Sequence, residues 1–166
     1  MFNEEAIQQL ADLLMKNRQT IAVAESVTAG LLQNALASAE NASEFFEGGI
    51  TAYNITQKYA HFHVNLEHAV SCNCVSEQVA AEMALGINKT FRSDWGIGIT
   101  GYASPIPGHH MEELYACFAI ANHNKVVFTK TIVCEIKEPL QVQLNYVAKV
   151  INEMITILSN EQRENK

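Results

Sequence analysis

The stretch from Thr20 to Ala39 constrains the fold of this chain more than any other. It opens with an apolar run, Ile21 to Ala24, and passes through a short segment of polar and small residues. After Gly30, leucines and alanines recur at the spacing of a helix. This order predicts a buried strand, a tight turn and a helix.

The turn in this stretch carries the residues with the most chemistry. It presents Glu25, Ser26 and Thr28, and it ends in Ala29 and Gly30, which are small enough to let the backbone approach a ligand. The first N–H groups of a helix and its dipole favour an anion or a developing negative charge. Ser26 is therefore a candidate nucleophile, provided that a base takes its proton. The alternative is that Ser26 or Thr28 only caps the helix.

The rest of the chain alternates helical and strand patterns. Asn3 and Ser76 fit helix caps, and Pro139 fits the first turn of a last helix. The segment Asn122-His-Asn124 predicts a hairpin between the last two strands. The predicted helices cover residues 4–14, 31–39, 77–91 and 139–158, and the predicted strands cover 21–24, 49–53, 95–100, 114–121 and 126–134.

Between these elements, residues 45–49 predict a turn, 54–59 a short helix or turn, and 61–74 an irregular stretch. Residues 160–166 predict a frayed polar tail. The alternation of helices and strands predicts one α/β domain over residues 1–166, built as a three-layer α/β/α sandwich around a mixed sheet.

Composition excludes several classes of function. The chain has 11 Lys and Arg residues against 18 Asp and Glu, and the basic residues are scattered, so we expect no nucleic-acid binding. No apolar run approaches the length of a membrane span, so we expect no membrane partner. The start of the chain is acidic, unlike a secretory signal, and the four cysteines are too few for a disulfide framework. We therefore expect a cytoplasmic protein.

The segment Ala24-Glu-Ser-Val-Thr-Ala-Gly30 resembles the Ala-Glu-Ser-Cys-Thr-Gly-Gly segment of a known family. This family is the C-terminal domain of the competence/damage-inducible protein CinA, which also occurs alone as a nicotinamide-nucleotide amidohydrolase. The further matching segments follow in the family's order, and the likeness covers nearly the whole chain. They are Phe46-Glu-Gly-Gly49 with Tyr53 and Lys58, Val75-Ser-Glu-Gln-Val79 with Met83 and Gly86, and Ile99-Thr-Gly-Tyr-Ala-Ser-Pro105.

The resemblance implies hydrolysis of the amide of nicotinamide mononucleotide, a small-molecule substrate, to the acid and ammonia. It implies a Ser–Lys site with no metal or organic cofactor, and we expect a homo-oligomer. Ser26 would be the nucleophile, Lys58 the base if burial keeps its amine partly neutral, and Tyr53 a proton relay or an orienting group. The residues that the resemblance assigns to substrate binding are Glu25, Thr28, Ala29, Gly30, Thr100, Gly101 and Ala103. For Glu25, a structural hydrogen bond is an equal alternative.

Several departures from the family bear on the substrate. Val27 stands for the family's Cys and Ala29 for a Gly, and the loop 106–113 lacks the family's glycines. The turn 135–138 holds Lys137 but no arginine, and a lysine cannot bind a phosphate with two parallel hydrogen bonds. We therefore expect little preference for a phosphorylated substrate.

Two other classes of function stay open. One is metal binding by a stretch of soft ligands, although Cys-x-Cys is not the usual zinc spacing. These ligands are His61, His63, His68, Cys72 and Cys74. The other is a catalytically silent relative that serves as an oligomeric or interaction module. The pair His109-His110 could instead serve the active-site loop.

Overall fold

Five strands and six α-helices make up the described part of the chain, residues 1–106 and 113–164 of a computed structural model. A 3₁₀ helix, Ala42–Glu44, precedes the second strand. The helices are α1 Glu4–Asn17, α2 Leu31–Ala37, α3 Ile55–Phe62, α4 Leu66–Ser71, α5 Glu77–Phe91 and α6 Pro139–Glu164. The strands are β1 Ile21–Glu25, β2 Phe46–Thr51, β3 Trp95–Gly101, β4 Leu114–Asn122 and β5 Lys125–Cys134.

The strands form one mixed sheet in the order β2-β1-β3-β4-β5. Strand β1 is parallel to both of its neighbours, β2 and β3. Strands β3, β4 and β5 then follow one another in antiparallel pairs, and β4 and β5 form the predicted hairpin. The prediction of a mixed sheet is confirmed.

Helices cover both faces of the sheet, which confirms the three-layer sandwich. Side chains alternate along β1: Ile21 and Val23 join one core, and Ala22 and Ala24 join the other. Helices α1, α2 and α6 pack in the first core, with Trp95 and its neighbours. Helices α3, α4 and α5 pack on the opposite face.

The predicted starts of three helices are confirmed. The Asn3 side chain accepts a hydrogen bond from the Ala6 N–H, and the Ser76 side chain accepts one from the Val79 N–H. Pro139 is the first residue of α6. These caps act within one turn of chain, so the local sequence is sufficient to specify them.

Three predictions for the connecting segments are wrong or incomplete. Of the predicted turn 45–49, residues 46–49 are instead the first part of β2, where a side chain on Gly49 would collide with the Val23 carbonyl. The stretch 61–74 is not irregular, because it holds the end of α3 and all of α4. Helix α6 runs to Glu164, so residues 160–164 of the predicted tail are helical.

The path of the chain leaves a crevice at the carboxyl ends of the parallel strands. The connection from β1 to β2 runs through α2 on one face, and the connection from β2 to β3 runs through α3, α4 and α5 on the other. Such a switch of faces is where α/β sheets bind ligands. None of the described helices is both long enough and apolar enough to cross a bilayer. This includes α6, which has 26 residues.

Candidate active site

A cleft of about 700 Å³ lies at the carboxyl ends of β1 and β3. Ser26, directly after β1, and Lys58, on α3, lie in its lining. Thr100 and Gly101 at the end of β3 contribute to the same lining, with Tyr53 and Ala103 from the adjoining loops. A volume of this size suits a small organic ligand. The structure thus brings six of the ten predicted site residues around one cavity.

Ser26 and Lys58 form the central contact of the cleft. The Lys58 Nζ atom lies 2.7 Å from the Ser26 Oγ atom, within hydrogen-bond distance. The Ser26 side chain is 6% exposed and Lys58 is 1% exposed, so the pair is largely screened from water. A hydroxyl and an amine at this separation can exchange a proton.

Two backbone carbonyls complete the surroundings of the Lys58 amine. The amine donates to the Ala52 carbonyl at 2.9 Å and to the Tyr53 carbonyl at 3.4 Å. A neutral amine has two N–H bonds and one lone pair, and carbonyls only accept. The two carbonyls therefore use both N–H bonds and leave the lone pair for the Ser26 hydroxyl.

Burial favours this neutral form. Desolvation lowers the pKa of the Lys58 amine below the ordinary value of a lysine, and negative charge on the nearby Cys74 thiol acts in the opposite direction. Burial in turn raises the pKa of the Cys74 thiol, so the thiol stays uncharged near neutral pH and opposes the shift little. Lys58 thus has the electrostatic setting of a base.

Local sequence explains how the two side chains meet. The Asn54 side chain accepts from the Gln57 N–H and starts α3, which places Lys58 one turn into that helix with its N–H donating to the Asn54 carbonyl. The Ser26 N–H donates to the Ile99 carbonyl at 3.1 Å and fixes the end of β1 against β3. Each reactive group therefore sits at an element start or end that a backbone contact holds in place.

Glu25 belongs to a different region, although it precedes Ser26 directly. Its fully buried carboxylate accepts from three N–H groups at the start of α2, those of Gly30, Leu32 and Gln33, at 3.1, 3.0 and 2.8 Å. It therefore caps α2 from the preceding strand. The predicted cap by the side chain of Ser26 or Thr28 is wrong, and these N–H groups of α2 face an internal carboxylate rather than a ligand.

Thr28, Ala29 and Gly30 lie in the bend between Glu25 and α2, outside the lining of the cleft. The buried Thr28 Oγ1 atom has no hydrogen-bond partner among the described residues. Ala29 and Gly30 have left-handed backbones, with φ of 49° and 97°. We call Glu25, Thr28, Ala29 and Gly30 the α2 junction. The first sequence block thus divides: Ser26 faces the cleft, and the α2 junction supports the helix.

Tyr53 reaches the cleft from its rim. Its side chain is 74% exposed, and its phenol has no hydrogen-bond partner within residues 1–106 and 113–164. The part of Tyr53 that touches the Lys58 amine is the backbone carbonyl. In this conformation the phenol contributes no contact to the Ser26–Lys58 pair.

The wall formed by the end of β3 holds the predicted residue Thr100 and two neighbours, Asn73 and Tyr102, that were not among the predicted site residues. The buried Thr100 hydroxyl donates to the Cys74 carbonyl at 2.7 Å, which ties β3 to the segment before α5. Asn73 from that segment and Tyr102 after β3 also line the cleft, and the Asn73 side-chain amide donates to the Tyr102 hydroxyl at 3.2 Å. Tyr102 stands where the family motif has an apolar residue, and this departure is the signal that could have marked it as a candidate site residue.

Gln143 of α6 contacts Val27, the residue after Ser26. Its side-chain amide donates to the Val27 carbonyl at 2.7 Å, across 116 positions of the chain. Val27 also lines the cleft. No local pattern predicts this contact, because only the fold brings α6 next to the end of β1.

The described lining of the cleft has one group that can carry a positive charge, the Lys58 amine, which already contacts three oxygen atoms. The turn 135–138 offers its Glu138 carboxylate to the N–H groups of Leu140 and Gln141 at the start of α6. A carboxylate at that helix start competes with any anion there. The pair His109-His110 lies outside the described residues.

The five soft ligands of residues 61–74 do not form a metal cluster. His61 contacts the Gln57 side chain, His68 contacts the Ser76 hydroxyl at 2.8 Å, and Cys72 points to the Ala69 carbonyl. Over residues 1–106 and 113–164, no three His, Cys, Asp or Glu side chains come together in a way that could hold a metal ion. The residues of the stretch act separately.

Comparison with known proteins relates this architecture to one family. Residues 3–158 match the family model of the CinA C-terminal domain. A CinA-like protein of Picosynechococcus sp. is 41% identical over 74% of this chain, and one of Prochlorococcus marinus is 31% identical over 90% of it. These alignments cover 29% and 36% of the two relatives, so the chain spans about a third of their length.

Solved structures agree with the sequence comparison. The competence or damage-inducible protein from Enterobacter asburiae superposes with a TM-score of 0.86 at 28% identity, covering 95% of this chain and 99% of its own. A CinA superfamily protein from Enterobacter cloacae gives the same TM-score and identity, with 95% and 93% coverage. The arrangement of sheet and helices is therefore that of solved members of the superfamily.

Proposed function

This chain belongs to the CinA C-terminal domain family, and we propose that it hydrolyses a small carboxamide to a carboxylic acid and ammonia. Ser26 is the nucleophile and Lys58 is the base. One observation carries the proposal: a buried lysine amine lies 2.7 Å from a serine hydroxyl, with its N–H bonds directed to two backbone carbonyls. A surface lysine or a helix-capping serine would not need this arrangement.

The first half of the reaction forms an ester on Ser26. The Ser26 oxygen attacks the amide carbon while the Lys58 amine takes the hydroxyl proton. The negative charge that develops on the substrate oxygen requires a hydrogen-bond donor, and the backbone N–H of Val27, which lines the cleft and has no acceptor within the described residues, is the candidate. The Lys58 ammonium then gives its proton to the amide nitrogen, the C–N bond breaks, and ammonia leaves.

The second half regenerates the enzyme. Lys58, neutral again, takes a proton from a water molecule that attacks the ester carbon. The ester bond to Ser26 breaks, the Ser26 oxygen regains a proton from the Lys58 ammonium, and the carboxylic acid leaves. These two reaction steps balance in atoms and charge without a metal ion or an organic cofactor.

The substrate we propose is nicotinamide mononucleotide or a related carboxamide, with little selection for the phosphate group. A phosphate is best held by helix N–H groups and an arginine fork. Here Glu25 occupies three N–H groups of α2, Glu138 occupies two of α6, and the described lining holds no arginine. A phosphate dianion therefore gains few partners in the described part of the cleft.

The decisive experiment measures ammonia release from nicotinamide mononucleotide and from its riboside. We expect turnover of both by the native chain, with kcat/KM values within about tenfold of each other, because the loss of charge-assisted hydrogen bonds removes the usual selection. Ser26→Ala should abolish release, whereas Ser71→Ala, which removes an exposed hydroxyl on α4, should keep it. A strong preference for the nucleotide would mean that another group recognises the phosphate.

The competing hypothesis is a catalytically silent module. A folded native chain that releases no ammonia from either compound, or a Ser26→Ala variant that keeps native turnover, would contradict the proposal. The first of these results would favour the silent module, and the second would move the chemistry away from Ser26.

A further inference from the structure

One aromatic residue of the cleft lining, Tyr102, is held by contacts to both its backbone and its side chain. Tyr102 follows β3 and shares the cleft lining with Ser26 and Lys58. Its N–H donates to the Tyr115 carbonyl at 2.9 Å, and its own carbonyl accepts from the Tyr146 hydroxyl at 3.1 Å. The backbone that carries the ring is therefore held by β4 and by α6.

The ring itself is fixed as well. Tyr102 and Tyr115 pack edge to face, with ring centroids 5.3 Å apart and an interplanar angle of 75°. The Asn73 side-chain amide donates to the Tyr102 hydroxyl at 3.2 Å. A tyrosine needs only two torsion angles to be set, and these two contacts set both before a ligand arrives.

Neighbouring groups in the cleft make an aromatic surface useful. Most other described lining side chains are apolar or neutral, and the Lys58 amine is neutral in its reactive form. A ligand in this cleft therefore finds little charge to pair with. An aromatic face attracts flat rings by stacking and attracts cationic rings more strongly through its quadrupole.

We propose that Tyr102 is the platform on which the ring carrying the scissile carboxamide stacks, so that the cleft selects planar ring amides over saturated or open-chain ones. The proposal rests on the proposed function only in taking the carboxamide to be directed at Ser26. Tyr102 acts on binding and ring selection and takes no part in proton transfer.

The test measures binding in the Ser26→Ala background, where no turnover interferes. Benzamide and cyclohexanecarboxamide are a matched pair of probes: both are neutral primary amides on a six-membered ring, and only the first is flat. Ligand-observed NMR titration should give at least about fivefold tighter binding of benzamide. Equal affinities for the two probes, or tighter binding of the cyclohexane compound, would overturn the proposal before any substitution of Tyr102 is made.

Substitutions then assign the preference to one residue. Tyr102→Leu should weaken benzamide and nicotinamide riboside about tenfold and leave cyclohexanecarboxamide within about twofold, because aromatic stacking accounts for the difference. Tyr102→Phe keeps the ring and should stay within about threefold of the parent. Tyr59→Leu, at a half-exposed tyrosine of α3 outside the cleft lining, is the control and should bind like the parent.

The outcomes separate this proposal from the proposed function. If the native chain releases ammonia and Tyr102→Leu binds benzamide unchanged, the platform is wrong and the hydrolase stands. If the chain releases no ammonia but the benzamide preference depends on Tyr102, the platform stands and the hydrolase is wrong. If Tyr102→Leu fails to fold, the proposal is tested by the ratio of the benzamide and cyclohexanecarboxamide affinities, measured on the parent protein and on Tyr102→Phe.

Discussion

The α2 junction and the cleft begin at consecutive residues and use buried polar groups in opposite ways. At the junction, the Glu25 carboxylate meets three N–H groups, so acceptor and donors satisfy one another within the fold. In the cleft, the neutral Lys58 amine donates its two N–H bonds to the carbonyls of Ala52 and Tyr53, and its lone pair faces the Ser26 hydroxyl. The first arrangement is complete without a ligand, and the second retains a reactive group.

Residues 25–30 are one short block of sequence with two separate roles. A motif reading assigns Glu25, Ser26, Thr28 and Gly30 to one binding site because they are adjacent. Glu25 and Ser26 separate because successive residues at the end of a strand point to opposite faces, whereas Thr28 and Gly30 lie beyond β1 in the bend before α2. Substitutions in the α2 junction should therefore lower the unfolding free energy, and substitutions in the cleft should lower turnover.

Lys58→Arg should have the largest effect, on turnover. Arginine stays protonated and cannot accept the Ser26 proton, so kcat should fall by about 10³-fold, within the range for loss of a general base. Lys89→Met, at an exposed lysine of α5, is the matched control and should keep native kcat. An arginine variant with near-native turnover would remove Lys58 from the mechanism and erase the contrast between the two regions.

The pH dependence of turnover and of stability tests the same role of the Lys58 amine. Because burial lowers the pKa of the Lys58 amine, kcat/KM of the native chain should rise with pH, with a midpoint below the free value of about 10.4. Between the folded and unfolded pKa values the unfolded chain binds the extra proton, so the unfolding free energy should also rise with pH in that window. Lys58→Met should lack this rise.

Glu25→Gln should have the next largest effect, on stability. The amide loses the negative charge and turns an NH₂ group toward one of the three N–H donors, so we expect a loss of about 2–4 kcal/mol in unfolding free energy. Chemical denaturation measures it, with Glu44→Gln in the exposed 3₁₀ helix as the control. If the variant stayed as stable as the parent and lost only activity, Glu25 would belong to the cleft after all.

Gln143→Ala tests the contact that joins the two regions. The Gln143 amide holds the Val27 carbonyl, so its loss should loosen the backbone behind the nucleophile and lower kcat about tenfold, with KM within about twofold. Gln143→Glu, which removes the donor but keeps the length, should behave alike. Gln141→Ala, exposed on the same helix, should match the native chain; an equal loss there would indicate general damage to α6.

Ala29→Gly should have the smallest effect and the opposite sign. A left-handed backbone costs an alanine about 1 kcal/mol or more relative to glycine, so the variant should gain up to about 1 kcal/mol in unfolding free energy. Ala60→Gly, at an exposed position inside α3, should instead lose about 1 kcal/mol. A loss at both positions would show that the bend at Ala29 is not strained.

Much of the fold follows from local sequence. Ser76, the apolar spacing of α5 and Pro139 each specify an element boundary through contacts within one turn, and these boundaries were predictable. Helix α4 was missed because its six residues are too few to show a periodic pattern. The start of β2 was missed because Gly48 and Gly49 are typical of turns, whereas here Gly49 serves close packing against β1.

The candidate site was predictable in its reactive groups and not in their surroundings. Ser26 was named from the turn after the first strand, and Lys58 and Tyr53 were named from the resemblance; Ser26 and Lys58 are in direct contact. The cap by Glu25 depends on left-handed backbones at Ala29 and Gly30, and the first of these is unusual for alanine. The contacts of Tyr102 and Gln143 join distant parts of the chain, so no local pattern could indicate them.

The central position of β1 has a consequence for the order in which the protein folds. Its neighbour β3 arrives much later in the chain, and the contact of Thr20 with Asp94 beside this pairing joins residues 74 positions apart. Contacts between distant residues form slowly, because a long loop must close first. The hairpin of β4 and β5 closes locally, whereas the Ser26–Ile99 contact waits for β1 to insert between β2 and β3. We expect refolding chains to recover most of their helical signal before Ser26 and Lys58 come into contact, so that the cleft is assembled only in a completely folded molecule.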